Sequence, residues 1–314
     1  MTARGLNELP SIGPAVVTLG VFDGVHRGHR HVLEATAQAA RERDASSVAL
    51  VFSPHPDEVI RPGTTVARLL PPDLTLHRVG THIDHAWEIR FDADLRNLEP
   101  EEFLGALAPA LELRGITMTP DSAFGRARSG TLERVAEIGA ANGWEAIAVE
   151  PLKVGGDVVS SSRVRTALGV GEIESAAALI GAAPFLRGSV VHGDERGRQM
   201  GFPTANLSFA YSAALPALGI YLGRVHVPDR EVGPHHPALV SVGVRPTFHD
   251  NGRVLVEAYL LDWDGDLYDA VLDLELDMRL REERRFDDVE SLVKQMRADE
   301  AEARRRLGIG EDGR

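Results

Sequence analysis

The 314-residue sequence contains no cysteine, which excludes disulfides, thiolate nucleophiles and cysteine-based metal centres. It also lacks an excess of basic charge: 34 Lys and Arg stand against 47 Asp and Glu, for a net charge of −13. A nucleic-acid or membrane-surface partner, which would want a basic face, is therefore not expected. An anionic small molecule is not excluded, provided its site supplies local donors. No run reaches the ~18 apolar residues that a membrane span needs, and the opening MTARGLNELPSIGP has no apolar signal core. No G-x4-G-K-[ST] string occurs, so there is no Walker A loop. A soluble cytoplasmic protein is the expectation, and Asn206 in NLS then carries no glycosylation meaning. The sequence leaves homo-oligomerisation open.

The length allows about two domains, and the texture of the chain agrees. In the first half PAVVTLGVF and SSVALVF read as buried strands, and HRHVLEATAQAARERD as a helix with Val32, Leu33, Ala37 and Ala40 on one face. EPEEFLGALAPALEL reads as helix, GITM as a short strand, TLERVAEIGAANG as helix and WEAIAVE as strand. Strands separated by helices indicate βαβ units and a parallel sheet. Two short helical pieces, SSRVRTALGVG and EIESAAALIG, follow. From about residues 183–186 onward closely spaced strands predict a small antiparallel barrel or sandwich. In VLDLELDM, Leu272, Leu274, Leu276 and Met278 alternate with Asp273, Glu275 and Asp277. DDVESLVKQMRADEAEARRRLG predicts a terminal helix with Val289, Leu292, Val293 and Met296 on one face and a capping box from Asp287 to Glu290. The expected domains are 1–184 and 185–314.

Chemistry concentrates in two places. The first is VFDGVHRGHRH (21–31), at the turn from the first strand into the first helix. Ligands of open parallel sheets bind beyond the carboxyl ends of the strands, and a helix N-terminus offers N–H groups and a positive dipole end to phosphate. Gly24 and Gly28 allow close backbone approach, and His26 and His29 can donate to phosphoryl oxygens. Imidazole beside a polyphosphate is biased towards its charged form. Taken alone, the two histidines read more readily as helix-capping residues, and as a metal site they would lack a third ligand. The full string GVFDGVHRGH is more specific. It resembles the nucleotidyltransferase signature in the version carried by bacterial bifunctional riboflavin kinase/FAD synthetases. The resemblance implies that His26 and His29 hold the ATP phosphates while adenylate passes to FMN, with Gly20, Phe22, Asp23, Gly24 and Gly28 around the nucleotide. FSPHP (52–56) is similar to the segment that would bring His55 near it. SSSRVR (160–165) is similar to the family's Ser-Ser-Thr-x-Ile-Arg motif, which implies a phosphate clamp of Ser160, Ser161 and a catalytic Arg165. TPDSAFG (119–125) keeps only Asp121, Phe124 and Gly125 of the family's flavin segment. By the resemblance Asp121 and Phe124 bind flavin.

The second place is HGDERGRQMGFPTANL (192–207), with glycines at 193, 197 and 201. Such a stretch can wrap a triphosphate with backbone N–H groups, although glycine spacing alone fits an ordinary hairpin better. Thr204 and Asn206 alternate, so both can point the same way as hard oxygen ligands, which suit Mg²⁺. The string resembles the riboflavin kinase signature, Pro-Thr-Ala-Asn included. GIYLGRV, SVGVRPTF, VEAYLLDWDGDLYD and LREERRF follow in family order. The resemblance implies Gly193, Arg198 and Gly201 at the nucleotide, Thr204 and Asn206 at the metal, and Glu257 as the general base on the ribityl hydroxyl. Arg279, Arg281, Glu282 and Phe286 would lie near the flavin or its phosphate. Asp269 stands where the family often has glycine. GIGEDG (308–313) matches G-x-G-x-x-G but follows a helix, so no dinucleotide site is expected there. DWDGD (262–266) fits a hairpin turn at Asp264-Gly265 better than a calcium loop.

The implied protein has a Rossmann-like nucleotidyltransferase domain and an antiparallel barrel with a terminal helix. It phosphorylates riboflavin to FMN and adenylates FMN to FAD, with ATP, riboflavin and FMN as its small-molecule partners. Two other readings stay open: a riboflavin kinase with a weakened adenylyltransferase half, motivated by the altered TPDSAFG, and a flavin-binding regulator without turnover.

Overall fold

The computed structural model describes residues 3–193, 201–230, 232–244 and 254–309. By internal contacts the chain forms two compact units, Met1–Val66 with Pro71–Ser161, and Ala67–Leu70 with Ser162–Arg314. The last shared helix therefore starts at the division, some twenty residues before the change of sequence texture near 183–186.

The first unit runs β1 (Gly13–Gly20), α1 (Arg27–Arg41), β2 (Ser46–Ser53), α2 (Pro56–Ile60), α3 (Pro72–Gly80) and β3 (His85–Arg90). It continues with α4 (Ala93–Asn97), α5 (Pro100–Gly105), β4 (Leu111–Met118), α6 (Leu132–Asn142), β5 (Glu145–Ala148) and a small hairpin of β6 (Lys153–Val154) and β7 (Asp157–Val158). The sheet is parallel, in the order β3-β2-β1-β4-β5. Strand parity sorts β1 onto two cores. Ala15 and Val17 join Leu50, Ile89, Phe103 and Ile116 on one face, while Val16 packs with Ala39 and Ala40 of α1 on the other. A parallel sheet covered on both sides needs such continuous apolar runs.

The expected helix over 99–113 is cut short. Helix α5 ends at Gly105, and Leu111 already pairs in β4. Pro109 has no N–H with which to continue a helix, and Leu111 and Leu113, more buried than Glu112 and packed with the core, follow the two-residue period of a strand. HAWEIR, read as no element from sequence, is β3 at the sheet edge.

The second unit holds α7 (Ser161–Val170, whose first residue belongs to the first unit) and α8 (Ile173–Ile180). Then come β8 (Phe185–Val191), β9 (Ala205–Ser208), β10 (Gly219–Val227), β11 (Val232–Val244), β12 (Val254–Leu260), β13 (Val271–Glu282) and α9 (Val289–Leu307). The six strands close into an antiparallel barrel, β10-β11-β12-β9-β8-β13. The alternation in VLDLELDM fills it: Leu272, Leu274 and Leu276 are at most 1% exposed. Helix α9 covers part of the outer wall, where Ala303 and Leu307 meet Leu222, Leu239, Leu261 and Met278.

Three local expectations are corrected. The cap of α9 is Asp288, whose carboxylate accepts from Ser291 N–H at 2.7 Å, so the Asp287–Glu290 box is off by one residue. Val289 is 64% exposed and leaves the packed face, which instead continues through Asp299 and Ala303. There is no hairpin at Asp264-Gly265, because β12 pairs with β11 and β9 while β13 pairs with β10 and β8. The link between them turns at Asp262 and Asp269, both with positive φ. Aspartate tolerates that conformation, which is how Asp269 can stand in for the family's glycine.

Candidate active site

The turn after β1 is built from backbone that side chains rarely adopt. Phe22 (φ 53°), Gly24 (φ 85°) and Val25 (φ 39°) all lie in the left-handed region, and the Val25 amide closes the turn onto the Phe22 carbonyl at 2.9 Å. For phenylalanine and a β-branched valine this costs about 1–3 kcal/mol each, persisting only where the surroundings over-determine it. They do so here: Phe22, Asp23, Val25 and His26 are 2–4% exposed. The turn opens at the carboxyl end of β1, between the carboxyl ends of β2 and β4, where the strand order reverses.

His26 caps α1, its Nδ1 accepting the His29 amide at 3.2 Å. The lone pair of Nδ1 is thereby used, so the proton of this ring sits on Nε2, and a doubly protonated ring could not make the cap. The His26 and His29 rings stack at 3.6 Å, and Phe22 meets His29 edge-on at 5.4 Å. Gly28 is required by close approach, since a Cβ there would lie 3.1 Å from the Val159 carbonyl and 3.2 Å from the His26 ring.

The first residue of α7 closes on the same turn: Ser161 Oγ donates to the Asp23 carbonyl at 2.9 Å. His55 caps α2 at the end of the neighbouring β2, its Nδ1 accepting the Asp57 amide at 3.1 Å. Asp121 lies in the loop after β4, accepting from the Thr119 hydroxyl at 2.6 Å. Phe124 is 6% exposed and packs 5.0 Å from Phe103 in the sheet core. Arg165 falls in the second unit, where its Nε donates to the Ala67 carbonyl at 2.6 Å.

In the barrel, register assembles a row that sequence spacing does not show. Asn206 of β9 lies opposite Glu257 of β12, which lies opposite Ser241 of β11; Ser241 faces Ile220 of β10, and Ile220 faces Arg281 of β13. Directly paired residues share a face, so the amide, the carboxylate and the hydroxyl stand side by side, with the guanidinium on the same face beyond Ile220. All are half-buried. Thr204 precedes β9 with the parity of Asn206, whereas Ala205 and Leu207 are buried. A Cβ on Gly193 would fall 2.7 Å from Asn206 Cγ, so this glycine makes room for the asparagine. Gly201 turns with φ 84°, and Arg198 lies outside the described residues. Arg281 forks onto Asp299 of α9 at 2.8 and 2.7 Å. Arg279 donates to the Leu218 carbonyl at 2.6 Å, and its Nε is buried with no acceptor among the described residues. Glu282 is 4.0 Å from Arg279 and exposed, and Phe286 lies between β13 and α9.

Sequence reasoning missed Val25, Val159 and Ser241. None carries a recognisable type: one acts through a backbone angle, one through a carbonyl, one through its register opposite Glu257.

The chain matches the family model for FAD synthetase over residues 10–163 and that for riboflavin kinase over residues 180–307. It is 35% identical over 303 residues to the bifunctional riboflavin kinase/FMN adenylyltransferase of Pseudomonas fluorescens, covering 96% of each chain. It is 32% identical to that of Escherichia coli strain K12, covering 98% of this chain and 96% of the other. Among solved structures, a macrolide-efflux protein from Streptococcus pneumoniae superposes with a TM-score of 0.84 at 29% identity, covering 96% of this chain and 97% of its own. Among the described residues no helix is long and apolar enough to cross a membrane. With both halves matched in order along the chain, this chain belongs to the bifunctional riboflavin kinase/FMN adenylyltransferase family.

Proposed function

We propose that residues 185–314 phosphorylate riboflavin with ATP and that residues 1–184 then transfer AMP from a second ATP to the FMN, releasing pyrophosphate. The observation that carries the kinase half is the direct pairing of Glu257 with Asn206. Glu257 takes the proton from the terminal ribityl hydroxyl as that oxygen attacks the γ-phosphoryl group. Thr204 and Asn206 present neutral oxygens on one face, a donor set that fits Mg²⁺, and they would hold it. Bound there, the ion supplies charge neutralisation on the phosphates. Arg279, with a buried donor still available, stands ready for an anionic group of the flavin or nucleotide, and Gly193 and Gly201 border the triphosphate.

In the first half, the start of α1 and the Nε2–H of His26, with His29 stacked on it, orient the triphosphate and meet charge that builds on the leaving pyrophosphate. His55 and Ser160 border the same nucleotide. Asp121 is the flavin contact from the loop after β4, while Phe124 supports that loop from the core. Among the described residues nothing favours a weakened adenylyltransferase half. Incubating the protein with FMN, ATP and Mg²⁺ gives FAD by chromatography, and riboflavin with ATP gives FMN and ADP. Absence of FAD would reduce the chain to a kinase.

A further inference from the structure

A serine hydroxyl carries one proton, and that of Ser161 is already donated to the Asp23 carbonyl at 2.9 Å. A phosphate at neutral pH offers only acceptors, so Ser161 cannot give the same proton to a nucleotide while it holds Asp23. The carbonyl it holds is the apex of the turn in which Phe22, Gly24 and Val25 are all left-handed. Two residues before Ser161, the Val159 carbonyl sits 3.1 Å from the position of a Cβ on Gly28, so the segment is seated on the turn at two points. The turn ends in His26, whose Nδ1 begins α1.

From this we infer that Ser161 is a positioning residue for adenylyl transfer: it locks the strained turn from behind and so aims His26 and His29, rather than clamping phosphate itself. The inference rests on the adenylyltransferase reading of the first half. Its consequence is a split in kinetics. A lost phosphate ligand weakens nucleotide binding, whereas a loosened turn leaves binding nearly intact and misplaces the groups that meet the transition state.

The test compares Ser161→Ala and Ser161→Thr in the full chain. For Ser161→Ala, kcat for FAD formation from FMN falls by about tenfold or more, and the KM for ATP stays within about threefold. Ser161→Thr, which keeps the hydroxyl, restores kcat. Amide hydrogen exchange over residues 20–29, read by mass spectrometry without substrates, rises in the alanine variant and returns in the threonine one. Riboflavin phosphorylation by the same molecules reports that the second unit is folded, and the retained KM for ATP that the first is. A raised KM for ATP with kcat retained, or unchanged exchange over 20–29 in Ser161→Ala, overturns the inference. Should the parent protein make no FAD, the function reading fails while the exchange measurement still decides the role of Ser161.

Discussion

Asn206 and the glycines around the two sites give the sharpest residue-scale tests, because each is constrained by one identifiable neighbour. Asn206→Ala removes an oxygen opposite Glu257, and riboflavin phosphorylation is lost while FAD formation from supplied FMN is spared; assaying the two reactions separately checks this. Gly193→Ala reaches the same outcome indirectly, since its methyl group would occupy the space of the Asn206 side chain. Gly28→Ala acts in the other half. Its Cβ would press on the His26 ring and the Val159 carbonyl, and displacement of catalytic groups by a fraction of an ångström lowers FAD formation by about tenfold, with phosphorylation unaffected. Why Gly24 and Gly28 matter was legible in the string GVFDGVHRGH. That Phe22 and Val25 share the left-handed backbone was not, because no side-chain type announces a conformation imposed by packing.

At the scale of elements, α9 is fixed to the barrel by a buried fork. Arg281 and Asp299 have side chains 13% and 8% exposed, and Gln295 also donates to Asp299 at 2.8 Å. Asp299→Ala leaves a guanidinium buried without its counter-charge, a loss of about 3–5 kcal/mol, to be read as a lowered urea midpoint. Arg281, assigned to the flavin by resemblance, spends most of its donors on Asp299 of α9 and the Glu282 carbonyl. In the first unit, Ser47 donates both its hydroxyl (2.6 Å) and its amide (2.9 Å) to Asp84, and these bonds hold the Asp84 carboxyl below the usual carboxylate range. A lowered folded-state value means that the carboxylate stabilises above its unfolded value and that this contribution fades as pH falls through the folded one. Ser47→Ala is therefore less stable than the parent at neutral pH, and the gap between the two narrows below about pH 4. Denaturant titrations at several pH values measure it. Strand alternation made β13 readable, but β9 is only four residues long and its neighbours are remote in sequence, so no local pattern defined it.

For the whole molecule, the sequence by itself determined the two textures, the motif strings and the residues capable of the chemistry. Hydrophobic period and turn composition are local properties, and a nucleotide-binding string or a Pro-Thr-Ala-Asn run is legible wherever it folds. Only the tertiary structure decided which of those residues meet. Barrel closure set Asn206 beside Glu257 and put Ser241 and Arg281 in their row, because register between distant strands is fixed by the closed hydrogen-bond ladder. Packing of residues 159–161 on the turn after β1 spent the proton of Ser161, and the cap of α1 took up the lone pair of His26 Nδ1. The hydroxyl and the imidazole each have a single donor to give in these states, and which acceptor receives it depends on neighbours more than a hundred positions away or on a cap that exists only once the helix has formed.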